Sequence, residues 1–401
     1  MKKTLIYALL LFICASSLTA CGDSADYSDT YNPATDYPYS FHEQGTGIHT
    51  AISDNGYYFL NGSYIYYMDK AAMKPVLLDN RPDTDCLHET GADKSAACNA
   101  YVNKEDYPGF LAYSDNHLYT IESRNVPGKN NENAKRFELI ELAKDGSSRK
   151  SKLTFDFPPD AIAIHRGVVY YSTKDFNKKS ELEYKIMQYD LQSAFAKPEE
   201  IYHGNLPAGY IADIIPYGSH VYFLEPAKNM YRTMQYDIQN RTISRMFSED
   251  DHKNSTIQGI FNDKLIFSYF YGDPDDQQAW LGYSADLDGN QIAELPIRRD
   301  FLSNFYASGN YLFSRPVWFY LTTEKYQHIR HEMSVYDTNY QLVDKFDLSF
   351  LPLDHSFIVG DADYMFVRYK QGQTNMIKYA NKKDIGTGHV TFQTLLETPD
   401  N

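Results

Sequence analysis

A repeating unit runs the length of this 401-residue chain and limits its fold more than any other feature. Each unit has an apolar stretch, a turn rich in Asp, Asn or Gly, an aromatic strand, and a further strand that ends near Asp. The first copy has Gly56 to Phe59 and then Tyr64 to Asp69. With 36 Tyr and 23 Phe, and no long helical periodicity, this pattern is typical of short β-strands. The equivalent positions are Tyr58, Tyr119, Tyr170, Tyr222, Ile266, Leu312 and Met365, spaced by 61, 51, 52, 44, 46 and 53 residues.

This spacing predicts a β-propeller, because a unit of about 40 to 60 residues is long enough for four short strands. A fourth strand is visible in Pro75 to Leu78, Thr242 to Phe247 and Leu342 to Phe346. One sheet cannot cover both of its faces, so the units must pack against each other in a ring. We therefore expect an all-β, seven-bladed propeller of four-stranded antiparallel blades over residues 46–401. Six or eight blades, or two β-sandwiches, remain alternatives.

The N-terminus carries the signals of an exported lipoprotein. Lys2 and Lys3 precede an apolar run from Leu5 to Ile13, which is too short for a typical membrane span. The run ends in Leu18-Thr19-Ala20-Cys21, which resembles the lipobox of bacterial lipoproteins. The resemblance implies a signal peptide over residues 1–20 and a diacylglycerol on Cys21. An ordinary signal peptide that is cleaved elsewhere is the alternative.

The remaining chain is strongly acidic. Without Lys2 and Lys3 it has 36 basic and 53 acidic residues, a formal charge of −17. Such a surface is repelled by nucleic acid and by anionic headgroups, so the membrane contact would come from the lipid alone. Residues 21–45 lack periodicity and are expected to be a flexible, lipidated tether. We expect a monomer on the extracytoplasmic face of the cell membrane, and no cofactor.

Cys86 and Cys98 are the two cysteines left after export and lipidation. Outside the cytoplasm such a pair most often forms a disulfide, and closing so short a loop stabilises the fold by roughly 3 kcal/mol. A metal site, or two free thiols, would be the alternatives.

The loop that contains these cysteines resembles one in secreted bacterial propeller lipoproteins of unknown function, among TolB-like and YncE-like propellers. That group carries Cys-Asn-Lys-Pro, Cys-x-His and Cys-Asn-Ala after the first blade; here Cys86-Leu87-His88 and Cys98-Asn99-Ala100 match the last two. Asp79 stands where the group has its first cysteine. The resemblance implies a low-ranked zinc alternative with Asp79, Cys86, His88 and Cys98 as ligands.

Long connections between second and third strands are predicted on one face of the ring, which is the usual place for binding. They are residues 122–136, 172–181, 269–280 and 315–332. Aromatic residues beside two of them, which could contact a sugar or peptide or pack between blades, are Trp280, Trp318, Phe319 and Tyr320.

Other motifs are weak. His328-Ile329-Arg330-His331-Glu332 lacks the helix that a zinc pair needs, so we interpret it as a solvated strand edge. Asp286-Leu287-Asp288-Gly289 begins like a calcium loop but lacks a Glu at the twelfth position, so we expect a tight turn. Catalytic residues are not indicated.

Three functions remain open from the sequence. The first is a binding module whose loop-rich face takes an extracytoplasmic protein, peptide or glycan. The second is a polysaccharide lyase or glycosidase with paired carboxylates at the central channel. The third is a structural role in an envelope complex, as for TolB-type propellers.

Overall fold

The computed structural model shows a seven-bladed β-propeller, which confirms the predicted fold. Seven four-stranded antiparallel sheets follow each other along the chain, each with its strands in sequence order. The structure describes residues 27–43, 48–81, 86, 98–127, 133–176, 182–205, 213–227, 230–247, 255–269, 281–298, 301, 303–353 and 355–399. The signal peptide and Cys21 lie outside these residues.

The strands are grouped here by their position in blades one to seven. First strands are β1 (Thr50–Ile52), β5 (Leu111–Ser114), β9 (Ile162–His165), β13 (Ile214–Tyr217), β17 (Ser255–Phe261), β21 (Ser303–Ser308) and β25 (Ser356–Ile358). Second strands are β2 (Gly56–Asn61), β6 (His117–Pro127), β10 (Val168–Phe176), β14 (His220–Ala227), β18 (Lys264–Tyr269), β22 (Tyr311–Pro316) and β26 (Tyr364–Gln371).

The outer half of each blade follows the same order. Third strands are β3 (Tyr64–Asp69), β7 (Asn133–Ala143), β11 (Leu182–Asp190), β15 (Met230–Asp237), β19 (Gly282–Ala285), β23 (Glu332–Tyr336) and β27 (Thr374–Asn381). Fourth strands are β4 (Pro75–Leu77), β8 (Arg149–Phe155), β12 (Glu199–Asn205), β16 (Thr242–Arg245), β20 (Ala293–Glu294), β24 (Leu342–Asp347) and β28 (Gln393–Pro399). Helix in the described residues is limited to α1 (Trp318–Thr322) and short 3-10 turns at Tyr39–Phe41, Glu324–Tyr326 and Lys382–Asp384.

The ring has two faces. We call turn face the one formed by the turns from first to second and from third to fourth strands. We call loop face the one formed by the connections from second to third strands and between blades. Turns such as Asp115-Asn116 have positive φ at both residues, 48° and 60°, which matches the twist of a tight hairpin. The Asp286–Gly289 segment is likewise a hairpin turn, closed by a hydrogen bond from the Gly289 amide to Asp286 O.

The first strands lie innermost, where β1, β5, β9 and β13 contact one another in order. Aromatic side chains fill the spaces between sheets. Phe247, for example, follows blade four and stacks on Phe267 of blade five at 4.2 Å between ring centroids. The aromatic residues that dominate the composition therefore form the core, and most of the apolar free energy comes from packing between blades.

The predicted long connections differ in kind. The described parts of residues 122–136 and 172–181 are regular hairpin, because β6 pairs with β7 up to Pro127 and Asn133, and β10 pairs with β11 up to Phe176 and Leu182. The alternation of side chains simply continues past the point where we expected a loop. Only residues 315–332 contain a described insertion, and residues 270–280 lie outside the described part.

In residues 27–43, which we call the strap, residues 36–43 are packed inside the ring, unlike the flexible tether expected for 21–45, whereas residues 27–30 and 32–35 are exposed. The 3-10 turn Tyr39–Phe41 contacts the first strands of blades four, five and six. Tyr37 and Phe41 are fully buried, and Phe41 lies against Tyr57 of blade one and Phe366 of blade seven. The strap thus fills the axis. Residues 21–26, 44 and 45 of the predicted tether lie outside the described residues.

Candidate functional site

The connection from β22 to β23 forms a small folded insertion on the loop face of blade six. Its helix α1 and the following 3-10 turn are held by Tyr320, Tyr326 and Ile329, which form their own buried cluster. The Tyr320 and Tyr326 rings meet edge to face with centroids 4.8 Å apart. Because the insertion has its own core, it can hold a fixed wall beside the ring.

A cavity of about 610 Å³ lies between this insertion and the connection from blade six to blade seven. We call it the blade-six cavity. Its size is in the range of small-ligand sites. Apolar side chains share the lining with hydroxyl, amide, carboxylate and imidazole groups. The lining residues are Tyr320, Leu321, Thr322, Thr323, Glu324, Gln327, Ile329, His331, Ser349, Leu351 and Leu353.

His331 lines the blade-six cavity and lies against a second histidine, His355, which contacts Arg315; these two residues stand behind the lining. The His331 and His355 rings lie 5.2 Å apart, and Arg315 donates to His355 Nε2 and to the Tyr306 hydroxyl. His355 Nδ1 in turn donates to Pro352 O at 2.6 Å. These two contacts require the neutral tautomer of His355 with its proton on Nδ1.

Burial and the neighbouring guanidinium keep both imidazoles neutral. Burial first, and Arg315 second, lower the pKa of His355 to about 3. The same two causes lower the pKa of His331 to about 4. The cluster therefore carries one positive charge at neutral pH, that of Arg315.

The positive charge of Arg315, behind this wall, has no carboxylate partner within the described residues. The contacts of Arg315 are a hydroxyl, a neutral imidazole and the face of the Tyr306 ring, 5.5 Å from its centroid. His331 lines the cavity, and its Nε2 is buried without a hydrogen-bond partner. A buried polar atom without a partner costs free energy, so a ligand group that bonded it would be favoured.

The axis of the ring is closed by the strap, and its carboxylates are already paired. Glu43 accepts hydrogen bonds from Arg368 Nη1 on both oxygens, each at 3.0 Å, and lies 3.3 Å from His49 Nδ1. Asp213 lies 2.9 Å from His42 Nε2. A glycosidase needs two carboxylates facing an open site. In the described part of the channel these pairs offer none.

The Cys86 and Cys98 sulfurs form a disulfide, as predicted from the sequence. Asp79 Oδ2 lies 2.8 Å from Cys86 Sγ, and Asp79 Oδ1 is 3.2 Å from Arg81 Nε. Asp79, Cys86 and Cys98 do converge as the zinc alternative requires, but two thiolates are not free while the sulfurs are bonded to each other. His88 lies outside the described residues.

The disulfide loop is tied to the ring by its backbone. Tyr101 pairs with Tyr64, the Ile65 amide donates to Ala100 O, and Arg149 donates to Tyr101 O. This connection therefore lies on the loop face of blades one and two, and its cysteines are buried. Its role in the structure is to fasten the connection.

A second cavity, of about 480 Å³, lies between blades one and two near the turn face. Tyr58 separates it from the core, stacked on Tyr113 with centroids 5.9 Å apart and bonded through its hydroxyl to Lys144 O. Each of these contacts joins the two blades. Packing between blades accounts for them without a ligand.

The aromatic residues predicted to contact a ligand are placed as follows. Trp280 lies outside the described residues. Trp318 and Phe319 belong to α1, and their side chains are outside the described part as well. Tyr320 is buried at 1% exposure and lines the blade-six cavity. A role in ligand binding stays a prediction for all four.

Sequence reasoning missed Arg315, His331 and His355. His331 was noted as part of a histidine-rich motif that was interpreted as a solvated edge; His328 and Arg330 are exposed as expected, whereas His331 is half-buried and lines the cavity. The missed signal was the length of residues 315–332 together with its apolar positions, which are enough for a small core. His355 comes from the next connection, so no local pattern could pair it with Arg315.

Comparison with known proteins shows the fold alone. No family model matches the chain, and no curated protein matches it. Solved structures do, including a prolyl endopeptidase at a TM-score of 0.52 and 9% identity, over 92% of this chain and 51% of that one. A putative 6-phosphogluconolactonase from Bacteroides fragilis (0.48, 11% identity, 92% and 97% covered) and TolB from Acinetobacter baumannii (0.40, 14%, 87% and 80%) also match. In the described part of the chain, no helix has the length and apolarity needed to span a bilayer.

Proposed function

We propose that this protein is a lipid-anchored binding module on the extracytoplasmic face of the membrane. Cys21 carries the lipid, and the loop face takes a protein, peptide or glycan ligand at the blade-six cavity. The observation that carries the ligand site is the lining of this cavity, where His331 Nε2 is buried without a hydrogen bond; Arg315, behind the lining, has no described carboxylate partner. The charge of Arg315 favours a ligand group that bears negative charge, and His331 Nε2 can form a hydrogen bond with it; Glu324 is the one carboxylate among the lining residues.

The lipid anchor is supported by the lipobox and the basic n-region before it. Cys21→Ala should release the protein from the membrane or leave the precursor uncleaved. Mass spectrometry of the membrane fraction would read out the diacylglycerol directly. A Cys21→Ala protein that stays in the membrane at mature mass would contradict this part of the proposal.

The ligand site is tested with two exposed leucines of the same blade. Leu353 lines the blade-six cavity at 41% exposure, whereas Leu342 lies on β24 at 50% exposure and does not line it. Leu353→Glu adds a second carboxylate to the cavity lining, besides that of Glu324, and should repel an anionic ligand. Leu342→Glu adds the same charge elsewhere and serves as the matched control.

The measurement is capture of labelled acidic glycans and of acidic peptides by the purified, immobilised protein. We expect Leu353→Glu to weaken capture about tenfold or more, equivalent to about 1.4 kcal/mol, and Leu342→Glu to leave it unchanged. Equal effects of the two variants, or capture of neither probe class by the unaltered protein, would show that the blade-six cavity is not the binding site.

A further inference from the structure

The strap is attached firmly where it leaves the ring on the turn face. Ser219 donates to Asp29 Oδ1 from its backbone nitrogen at 3.1 Å and from its hydroxyl at 2.5 Å. Arg166 donates to Ser28 O at 2.8 Å. Gly218 has φ +57°, and a Cβ there would lie 2.7 Å from Asp29 Cα, so this close approach requires glycine.

Further contacts continue along the strap toward the loop face. Arg166 also holds Asp36 through two hydrogen bonds, 2.7 and 3.0 Å, and His165 Nδ1 accepts from the Tyr37 amide at 3.0 Å. At the far end Glu43 is bound to Arg368 beside the start of blade one. The strap therefore enters at the turn face, ends at the loop face and is bonded to the ring at both ends and between them.

We propose that the strap fixes the orientation of the ring on the membrane, with the turn face toward the bilayer and the loop face outward. This rests on the lipid anchor at Cys21 proposed above. Cys21 precedes Asp29 by eight residues, and a fully extended chain of that length spans at most about 28 Å. The point where the strap leaves the ring thus lies within that distance of the anchored lipid.

The tether between Cys21 and Asp29 is too short for the opposite orientation. A domain of this size has a radius on the order of 25 Å, and the second strands, of 6 to 11 residues, separate the two faces by about 20 Å or more. If the loop face were turned to the bilayer, the tether would have to run from the axis to the rim and then along the side of the ring. That path is about 45 Å long. Laying the ring on its edge would require a tether at nearly full extension.

This orientation has a consequence for the ligand. The blade-six cavity, built from loop-face connections, opens away from the bilayer. With a mature charge of −17, the protein is repelled by anionic headgroups. The ligand would therefore arrive from the space beyond the membrane rather than from the lipid surface.

The test compares two exposed glutamines in turns on opposite faces. Gln239 lies in the third-to-fourth turn of blade four, on the turn face, and Gln373 lies in the second-to-third turn of blade seven, on the loop face. Gln239→Cys and Gln373→Cys each provide one free thiol for a donor dye, because Cys86 and Cys98 are bonded to each other. The full lipidated proteins are reconstituted into phosphatidylcholine vesicles with a headgroup-labelled acceptor lipid, and energy transfer is measured.

We expect transfer from Gln239→Cys to exceed that from Gln373→Cys about twofold or more, given the strand length between the faces. A flexible Gly/Ser linker of about 30 residues between residues 26 and 27 should reduce the difference, since it frees the ring from the anchor. Equal or reversed transfer in the unmodified tether would overturn the orientation while leaving the lipid anchor intact. Absence of lipid on Cys21 by mass spectrometry would overturn both.

Discussion

At the scale of single residues, the strap is held in the ring by charges placed inside it. Glu43 is 2% exposed, a position where a carboxylate is costly unless it is paired. Burial opposes its ionisation, but Arg368 and His49 outweigh that cost and lower the pKa of Glu43 to about 2. Compared with an ordinary value of 4.5, this corresponds to about 3 kcal/mol of stabilisation at neutral pH.

Glu43→Gln should therefore lower the free energy of unfolding by about 3 kcal/mol at pH 7, because Arg368 loses its buried partner. Glu199→Gln is the control: its ion pair with Arg241 is exposed and should contribute less than about 1 kcal/mol. Since the folded-state pKa of Glu43 is depressed, its contribution is present above pH 4.5 and is lost as pH falls toward 2. Urea unfolding from pH 7 downward measures both effects. A difference between wild type and Glu43→Gln that persists unchanged at pH 2 would contradict the assignment.

At the scale of elements, the strap replaces what would otherwise be solvent or an open channel. Phe41 packs on aromatic side chains of blades one and seven and is 1% exposed. Its neighbours belong to different sheets that do not exchange strands. An aromatic residue in this position joins them by apolar contact alone.

Phe41→Ala is expected to destabilise the fold by about 3–5 kcal/mol, because it leaves a cavity at the axis. Phe195→Ala removes a ring of the same size that is 91% exposed, and it should have almost no effect. Thermal and urea unfolding of the two variants provide the comparison. Similar free energies of unfolding for the two variants would show that Phe41 of the strap does not stabilise the ring at its axis.

The elements also show what the sequence could and could not predict. Strands and turns follow from side-chain alternation and from Asp, Asn and Gly at fixed positions, so all seven blades were predicted. The strap was not, because its order depends on partners far along the chain, such as Arg166 for Asp36 at a separation of 130 residues. The cluster behind the wall of the blade-six cavity was missed for the same reason, since Arg315 on β22 meets His355 from the connection between blades six and seven.

At the scale of the whole molecule, the ring closes without a shared strand. Blade one is β1 to β4 and blade seven is β25 to β28, each complete in its own stretch of chain. Side chains join them instead. Asp361 Oδ2 accepts from the Tyr57 hydroxyl at 2.6 Å and pairs with Lys70 at 3.0 Å, while Asn61 donates to the Thr398 hydroxyl at 2.9 Å.

A ring closed in this way should open first between blades one and seven. Asp361→Asn removes the charge that holds Lys70 and weakens the bond from Tyr57, at a cost of about 1–3 kcal/mol. Amide hydrogen exchange should then accelerate in β2 and β26 and stay unchanged in blades three and four, because local opening follows the weakest interface.

Asp337→Asn is the matched control, since Asp337 caps a turn of blade six by accepting from the Asn339 and Gln341 amides. Its effect should stay within that turn. If Asp361→Asn instead lowered protection equally in all blades, the closure would not be the weak point, and the ring would unfold as a single cooperative unit.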